Sequence, residues 1–86
     1  MSSNVIGKIK HKKPTNEINL SNAKFALRTF SSMDDVSGFV LDKQDLEKLE
    51  LVKCFLSDPS ERKEFEKIIS ILKKEEVEFI ELEEVY

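Results

Sequence analysis

The sequence predicts a small α+β domain in which N-terminal strands, two helices and a C-terminal strand share one core. Three patterns support this prediction: alternating apolar residues near the N-terminus, two amphipathic segments at about 43–57 and 60–74, and a β-rich C-terminus. The chain has 86 residues, which suffice for one hydrophobic core but not for two. We therefore expect residues 1–86 to form a single domain.

The N-terminal third favours short strands. Residues 5–9 suit a strand, Pro14 marks a turn, and Ile18 and Leu20 alternate with polar neighbours as in a return strand. An alternative for residues 1–16 is a flexible basic arm.

Two structures compete for residues 24–30. As a strand, this segment would form a hairpin with residues 38–41 through the polar loop 31–37. The alternative is a helix capped by Ser21. Its apolar side would comprise Ala23, Ala26, Leu27, Phe30 and Met33. We favour the strand, because the loop ends in Ser37-Gly38, which suits a hairpin.

The first predicted helix, at about 43–57, follows Asp42, whose carboxylate can accept hydrogen bonds from the free amides of the first turn. Leu51, Cys54 and Phe55 widen its apolar stripe, which predicts contact with more than one element or with a second chain. We expect Cys54 to be a buried, inert thiol.

The second predicted helix, at about 60–74, has the clearest start signal. Asp58 supplies the cap, Pro59 suits the first turn, and Glu61 stands where a capping-box carboxylate reaches back. Connections of a few residues predict an antiparallel helix hairpin. The expected core of the two helices is Leu46, Leu49, Val52, Leu56, Phe65, Ile68, Ile69 and Leu72.

The last eleven residues decide the architecture. Val77 and Phe79 alternate with glutamate, and the phase then slips to Ile80 and Leu82, which predicts a strand with a bulge. A heptad pattern from Phe65 to Tyr86 supports an alternative fold. In this fold an N-terminal β-hairpin is followed by one long C-terminal helix that forms a coiled-coil dimer. We favour the strand because β-branched and aromatic residues cluster here.

Charge is distributed unevenly along the chain. Residues 1–33 carry six basic residues and one acidic residue, whereas residues 34–86 carry eight basic and sixteen acidic residues. Because small domains bring their termini close, we expect the basic and acidic ends to neutralise each other, in the fold or across a dimer.

The residue types that catalysis or cofactor binding would need are scarce. His11, the single histidine, lies among lysines with no carboxylate nearby in sequence, so we expect an exposed side chain rather than a catalytic one. One cysteine and two glycines exclude a four-cysteine zinc site and a glycine-rich phosphate loop. We expect no enzymatic activity, no metal, no cofactor and no small-molecule substrate.

Two sets of residues are candidate contacts. The basic set could bind nucleic acid or an acidic protein: Lys8, Lys10, Lys12, Lys13 and Arg28. The apolar set could bind a protein or a second copy: Leu51, Phe55, Phe79, Leu82 and Tyr86.

The leading functional hypothesis is a non-catalytic regulatory protein of adaptor or inhibitor type, which binds a protein and self-associates as a homodimer. The alternative is a nucleic-acid-binding regulator that uses the basic segment. The N-terminus has no apolar signal core, and the apolar runs are too short for a membrane helix, so we expect a cytoplasmic protein without membrane contact.

Overall fold

The structure, a computed structural model, describes residues 4–11 and 16–85. It combines a four-stranded antiparallel sheet with three α-helices, which confirms the α+β prediction. The strands are β1 (Asn4–His11), β2 (Asn16–Asn19), β3 (Val40–Asp42) and β4 (Val77–Val85). The helices are α1 (Lys24–Ser31), α2 (Leu46–Phe55) and α3 (Pro59–Leu72).

The two longest strands form the centre of the sheet. The strand order is β2-β1-β4-β3, and β1 pairs with β4 along its whole length, with Ile6 opposite Glu83 and Lys8 opposite Glu81. Residues 4–11 of the segment 1–16 therefore form an inner strand of the sheet. Residues 12–15 of that segment lie outside the described residues.

Each central strand presents alternate side chains to the two faces of the sheet. On the core face, Val5, Ile80 and Leu82 are almost fully buried. The other face is only partly buried, and we call it the open sheet face. It carries Ile6, Lys8, Lys10, Phe79, Glu81 and Glu83.

Strand β4 contains the bulge that the slipped alternation predicts. Lys10 pairs with Phe79, but the next residue of β1 pairs with Val77, which leaves Glu78 as the extra residue. The bulge allows Val77 and Ile80 both to face the core. Because residues 77–85 form a strand, the rival prediction of one continuous C-terminal helix is wrong.

The favoured prediction for residues 24–30 is wrong, since this segment is helix α1 and not a strand. Ala26, Leu27 and Phe30 are buried while Phe25 is exposed, a burial pattern with helical rather than strand periodicity. The predicted hairpin is wrong as well, because β3 pairs with β4. A turn of 3₁₀ helix begins at Ser21, whose Oγ accepts a hydrogen bond from the Val5 amide at 3.1 Å.

Helices α2 and α3 form as predicted, and a capping aspartate precedes each of them. Asp42 caps the turn of 3₁₀ helix at Lys43–Asp45 that leads into α2, and Asp58 caps α3 directly. Asp42 Oδ1 accepts from the Gln44 amide at 2.9 Å, and Asp58 Oδ1 accepts from the Ser60 amide at 2.8 Å. The expected helical core is confirmed: Leu49, Phe65, Ile68, Ile69 and Leu72 are buried, and Leu46, Val52 and Leu56 pack against them partly buried.

Gly7 in β1 lies against buried side chains of the core, which leave no room for a Cβ. A Cβ at this position would lie 2.9 Å from Leu20 Cδ1 and 3.1 Å from Ile80 Cγ2. We therefore expect Gly7→Ala to lower the free energy of unfolding by about 1–3 kcal/mol through overpacking. Urea unfolding measures this change, and an unaltered midpoint would show that the core has room for the methyl group.

Candidate protein-binding surface

Three large apolar side chains are exposed on helices α1 and α2. Phe25 of α1 is 68% exposed, and Leu51 and Phe55 of α2 are 60% and 81% exposed. Helical geometry explains the exposure in α2, because Leu49 occupies the buried side and Phe55 lies well round the helix from it. Leu51 and Phe55, which widen the apolar stripe of α2, thus face solvent and meet no second element of the described chain.

A groove of about 410 Å³ lies between the two helices. Phe30 and Val52 contribute apolar lining, and Phe25 stands in its wall. Phe55 lies one helical turn beyond Val52. We call the surface formed by this groove with Phe25, Leu51 and Phe55 the α1–α2 surface.

The groove is anchored to the core through aromatic contacts. The Phe30 ring meets the rings of Phe39 and Phe65 edge to face, with centroids 6.3 Å and 6.4 Å apart. Phe65 is fully buried, so its contact fixes the Phe30 ring to the core. The groove is therefore a preformed feature of the fold.

Charged side chains border this apolar surface. Lys48 Nζ lies 4.7 Å from the centroid of the Phe30 ring, and Lys24 Nζ lies 5.3 Å from that of Phe25, both within reach of a cation–π interaction. Glu61, at the start of α3, also lines the groove. The surface thus combines apolar contact area with charges of both signs.

A second hollow, of about 540 Å³, lies at the C-terminal end of α1. Arg28, Thr29, Ser32 and Asp34 form most of its lining, with Met33 as its apolar member. Because its walls are largely polar, this hollow offers less for an apolar partner to bury than the α1–α2 groove does.

Cys54 is exposed, so the prediction of a buried thiol is wrong. It belongs to the solvent side of α2, next to Leu51 and away from Leu49. The apolar side of α2 is narrower than the sequence predicts, because within the helix only Leu46, Leu49 and Val52 pack against the core.

The basic and acidic ends of the chain meet on the open sheet face. Lys8 Nζ lies 2.7 Å from Glu83 Oε2. The bond to Glu83 and its charge raise the pKa of Lys8 above its ordinary value, with smaller contributions from Glu17 and Glu81. The expected neutralisation is therefore realised within one chain for Lys8.

This pair predicts a loss of stability at alkaline pH. Because the folded pKa of Lys8 is raised, its contribution is fully present below the unfolded pKa of about 10.4 and is lost as pH rises through the folded pKa. We expect Lys8→Met to narrow the difference in urea midpoint between neutral and strongly alkaline solution. Glu83→Gln should narrow it too, and a difference unchanged in both variants would contradict the pairing.

Arg28, predicted as a phosphate or acidic-partner contact, binds a carboxylate of its own chain. Its Nε and Nη2 donate to the two oxygens of Glu84 at 2.9 Å and 2.7 Å. Glu84 Oε1 also accepts from the Val36 amide at 3.1 Å, and its side chain is fully buried. This cluster joins α1, the loop before β3 and strand β4.

The structure separates the remaining predicted contacts. Phe79 and Lys10 lie on the open sheet face, opposite one another in the β1–β4 register. Leu82 is 1% exposed and belongs to the core, so its side chain is not accessible to a partner. The predictions for Lys12, Lys13, Tyr86 and the His11 side chain lie outside what the structure describes.

Phe25 and Lys48 belong to the α1–α2 surface but were absent from the predicted contacts. Phe25 was missed because residues 24–30 were assigned to a strand. The helical period of Ala23, Ala26, Leu27 and Phe30 was the signal that could have placed Phe25 on the outside of a helix.

Within residues 4–11 and 16–85, no group of three His, Cys, Asp or Glu side chains is arranged to hold a metal ion. No helix in those ranges has the length and apolar character to cross a membrane. No protein-family model, curated protein or solved structure matches the chain.

Proposed function

We propose that this chain is a non-catalytic protein-interaction module of adaptor or inhibitor type, and that it binds its partner through the α1–α2 surface. The observation that carries this proposal is the exposure of Phe25, Leu51 and Phe55 around an apolar groove. Exposed apolar patches of this kind mark interaction sites, whereas single exposed apolar residues need no explanation.

The residue types on this surface suit protein recognition. Aromatic side chains are enriched in protein interfaces, where a few of them supply most of the binding energy. Phe55, at 81% exposed, can enter a pocket of a partner almost whole, while Phe25 and Leu51 can exclude water around it. A preformed groove lowers the ordering cost of binding.

The open sheet face is less suited to nucleic acid. Lys8 is bonded to Glu83, and Glu17 and Glu81 stand opposite it in the register of the sheet. These carboxylates would repel phosphate groups that approach Lys8. Because Lys8 is already paired with Glu83, it is also less able to neutralise a phosphate and so release counterions. Arg28, bonded to Glu84, is likewise engaged.

Affinity capture with the full chain tests the proposal. Cells that naturally express the protein supply the lysate, and wild type is compared with Phe55→Ser and with Val85→Thr. Val85 is 46% exposed at the end of β4 and is the matched control for loss of an exposed apolar side chain. We expect specific capture by wild type and Val85→Thr, with loss in Phe55→Ser.

Two results would contradict the proposal. One is capture that Phe55→Ser leaves unchanged, since the partner would then bind elsewhere. The other is failure to retain any protein together with a strictly monomeric mass in solution. Thermal unfolding of each variant provides the folding control, and a residue as exposed as Phe55 should leave it nearly unchanged.

A further inference from the structure

The α1–α2 surface carries a projecting ring and a hollow side by side. Phe55 projects from α2, and the groove lined by Phe30 and Val52 begins one helical turn away. A two-fold dimer requires a surface that is complementary to itself, because the same patch meets its own copy. A projection next to a hollow satisfies this requirement in shape.

The charges around the groove also suit self-association. Two lysines lie beside the groove: Lys48 lines it and lies over the Phe30 ring, and Lys24 lies over the Phe25 ring. Glu61 lines the groove, and Glu47 lies one turn before Leu51 on α2. Arg28 also lies over the Phe25 ring, but its charge is paired with Glu84. The other two basic and two acidic side chains leave the patch without a dominant sign, so two copies can approach without repulsion and can pair opposite charges.

The exposed apolar area is of the size that an interface needs. Phe25 and Phe55, at 68% and 81% exposed, offer on the order of 300 Å² per copy if each aromatic side chain spans roughly 200 Å², and Leu51, at 60% exposed, adds to this area. A standard interface buries about 800 Å² per partner, somewhat more than half of it apolar. These three side chains therefore supply most of the apolar part.

We infer that the occupant of the α1–α2 groove is a second copy of this chain. In this two-fold dimer, Phe55 of each copy seats in the groove of the other. The inference rests on the proposed function, because it assigns a partner to the same surface.

Sedimentation equilibrium of the full chain over a dilution series tests the inference. We expect wild type to dimerise reversibly. Phe55→Ser removes the projecting ring, and Thr29→Arg places a bulky charge at the groove, where Thr29 forms part of the lining. Each variant should raise the dissociation constant of the dimer roughly a hundredfold or more. A two-fold dimer contains the contact between Phe55 and the groove twice, so one substitution disrupts both copies of it.

Val85→Thr is the matched control and should leave the dissociation constant unchanged. A wild-type chain that is monomeric throughout would overturn the inference. A dimer that tolerates either Phe55→Ser or Thr29→Arg would overturn it as well, since both halves of the contact are required.

The two proposals can fail separately. A monomeric wild type whose capture of another protein depends on Phe55 would leave the proposed function standing and remove the second copy as the occupant. A monomeric wild type that captures nothing would remove both.

Discussion

Arg28→Met should destabilise the fold by about 3–5 kcal/mol, because it removes both guanidinium donors from a carboxylate that is fully buried. Glu84 would keep the Val36 amide but would have to hold its charge in the interior without its cationic partner. Since native proteins are stable by only about 5–15 kcal/mol, this loss is a large fraction of the total stability. Urea unfolding at neutral pH measures it.

Two comparisons make this prediction specific. The Lys73–Glu50 pair is exposed at both ends, so Lys73→Met should cost under about 1 kcal/mol. Adding Glu84→Gln to Arg28→Met removes the buried charge, and the double variant should therefore be more stable than Arg28→Met alone. If Arg28→Met loses as little stability as Lys73→Met, the buried pair between Arg28 and Glu84 does not hold α1 against β4.

Replacement by alanine should destabilise the fold strongly at one phenylalanine and hardly at all at another. Phe65 is fully buried in α3 and contacts the Phe30 ring, whereas Phe55 is 81% exposed at the end of α2. We expect Phe65→Ala to cost about 3–5 kcal/mol, through lost apolar burial and the cavity left behind. Phe55→Ala should change stability by less than about 0.5 kcal/mol.

Thermal and urea unfolding of both variants at low protein concentration provide the test, since dilution keeps self-association from contributing to stability. Similar losses in both variants would mean that Phe55 packs within its own chain. That result would also remove the main support for a binding role of the α1–α2 surface.

The helices α2 and α3 and the strand β4 could be predicted because local signals agree there. Asp42 and Asp58 cap where apolar periodicity begins, and the slip after Phe79 marks the bulge. Sequence pattern and tertiary packing require the same structure at these positions, so the segments could be assigned without knowledge of their partners.

Helix α1 could not be assigned with the same security. Its eight residues are short enough for apolar residues to fit either period, and its start lacks a side-chain cap. Tertiary packing favours the helix over the strand, because it buries Leu27 and Phe30 in the core. The sequence alone does not reveal this packing. Its end is also unusual, since Ser32 adopts a left-handed conformation with φ of 59° where glycine is more common.

The candidate surface was predicted only in part, for related reasons. Leu51 and Phe55 were identified because α2 is too apolar for one buried face. Phe25 required the correct assignment of α1. Leu82 was assigned to the surface although the slip in the sequence already places it on the same face as Ile80. Which face of β4 packs on the core depends on its pairing with β1, and the sequence does not reveal that pairing.

Hydroxyl-radical footprinting of the bound and free chain tests the central claim most directly, because it reports the accessibility of individual side chains. Binding, whether to a second copy or to a captured protein, should lower oxidation of Phe25, Leu51 and Phe55. Oxidation of Val40 and Val85, exposed on the sheet, should stay constant. Protection of the two valines while the three helical side chains remain reactive would contradict the account.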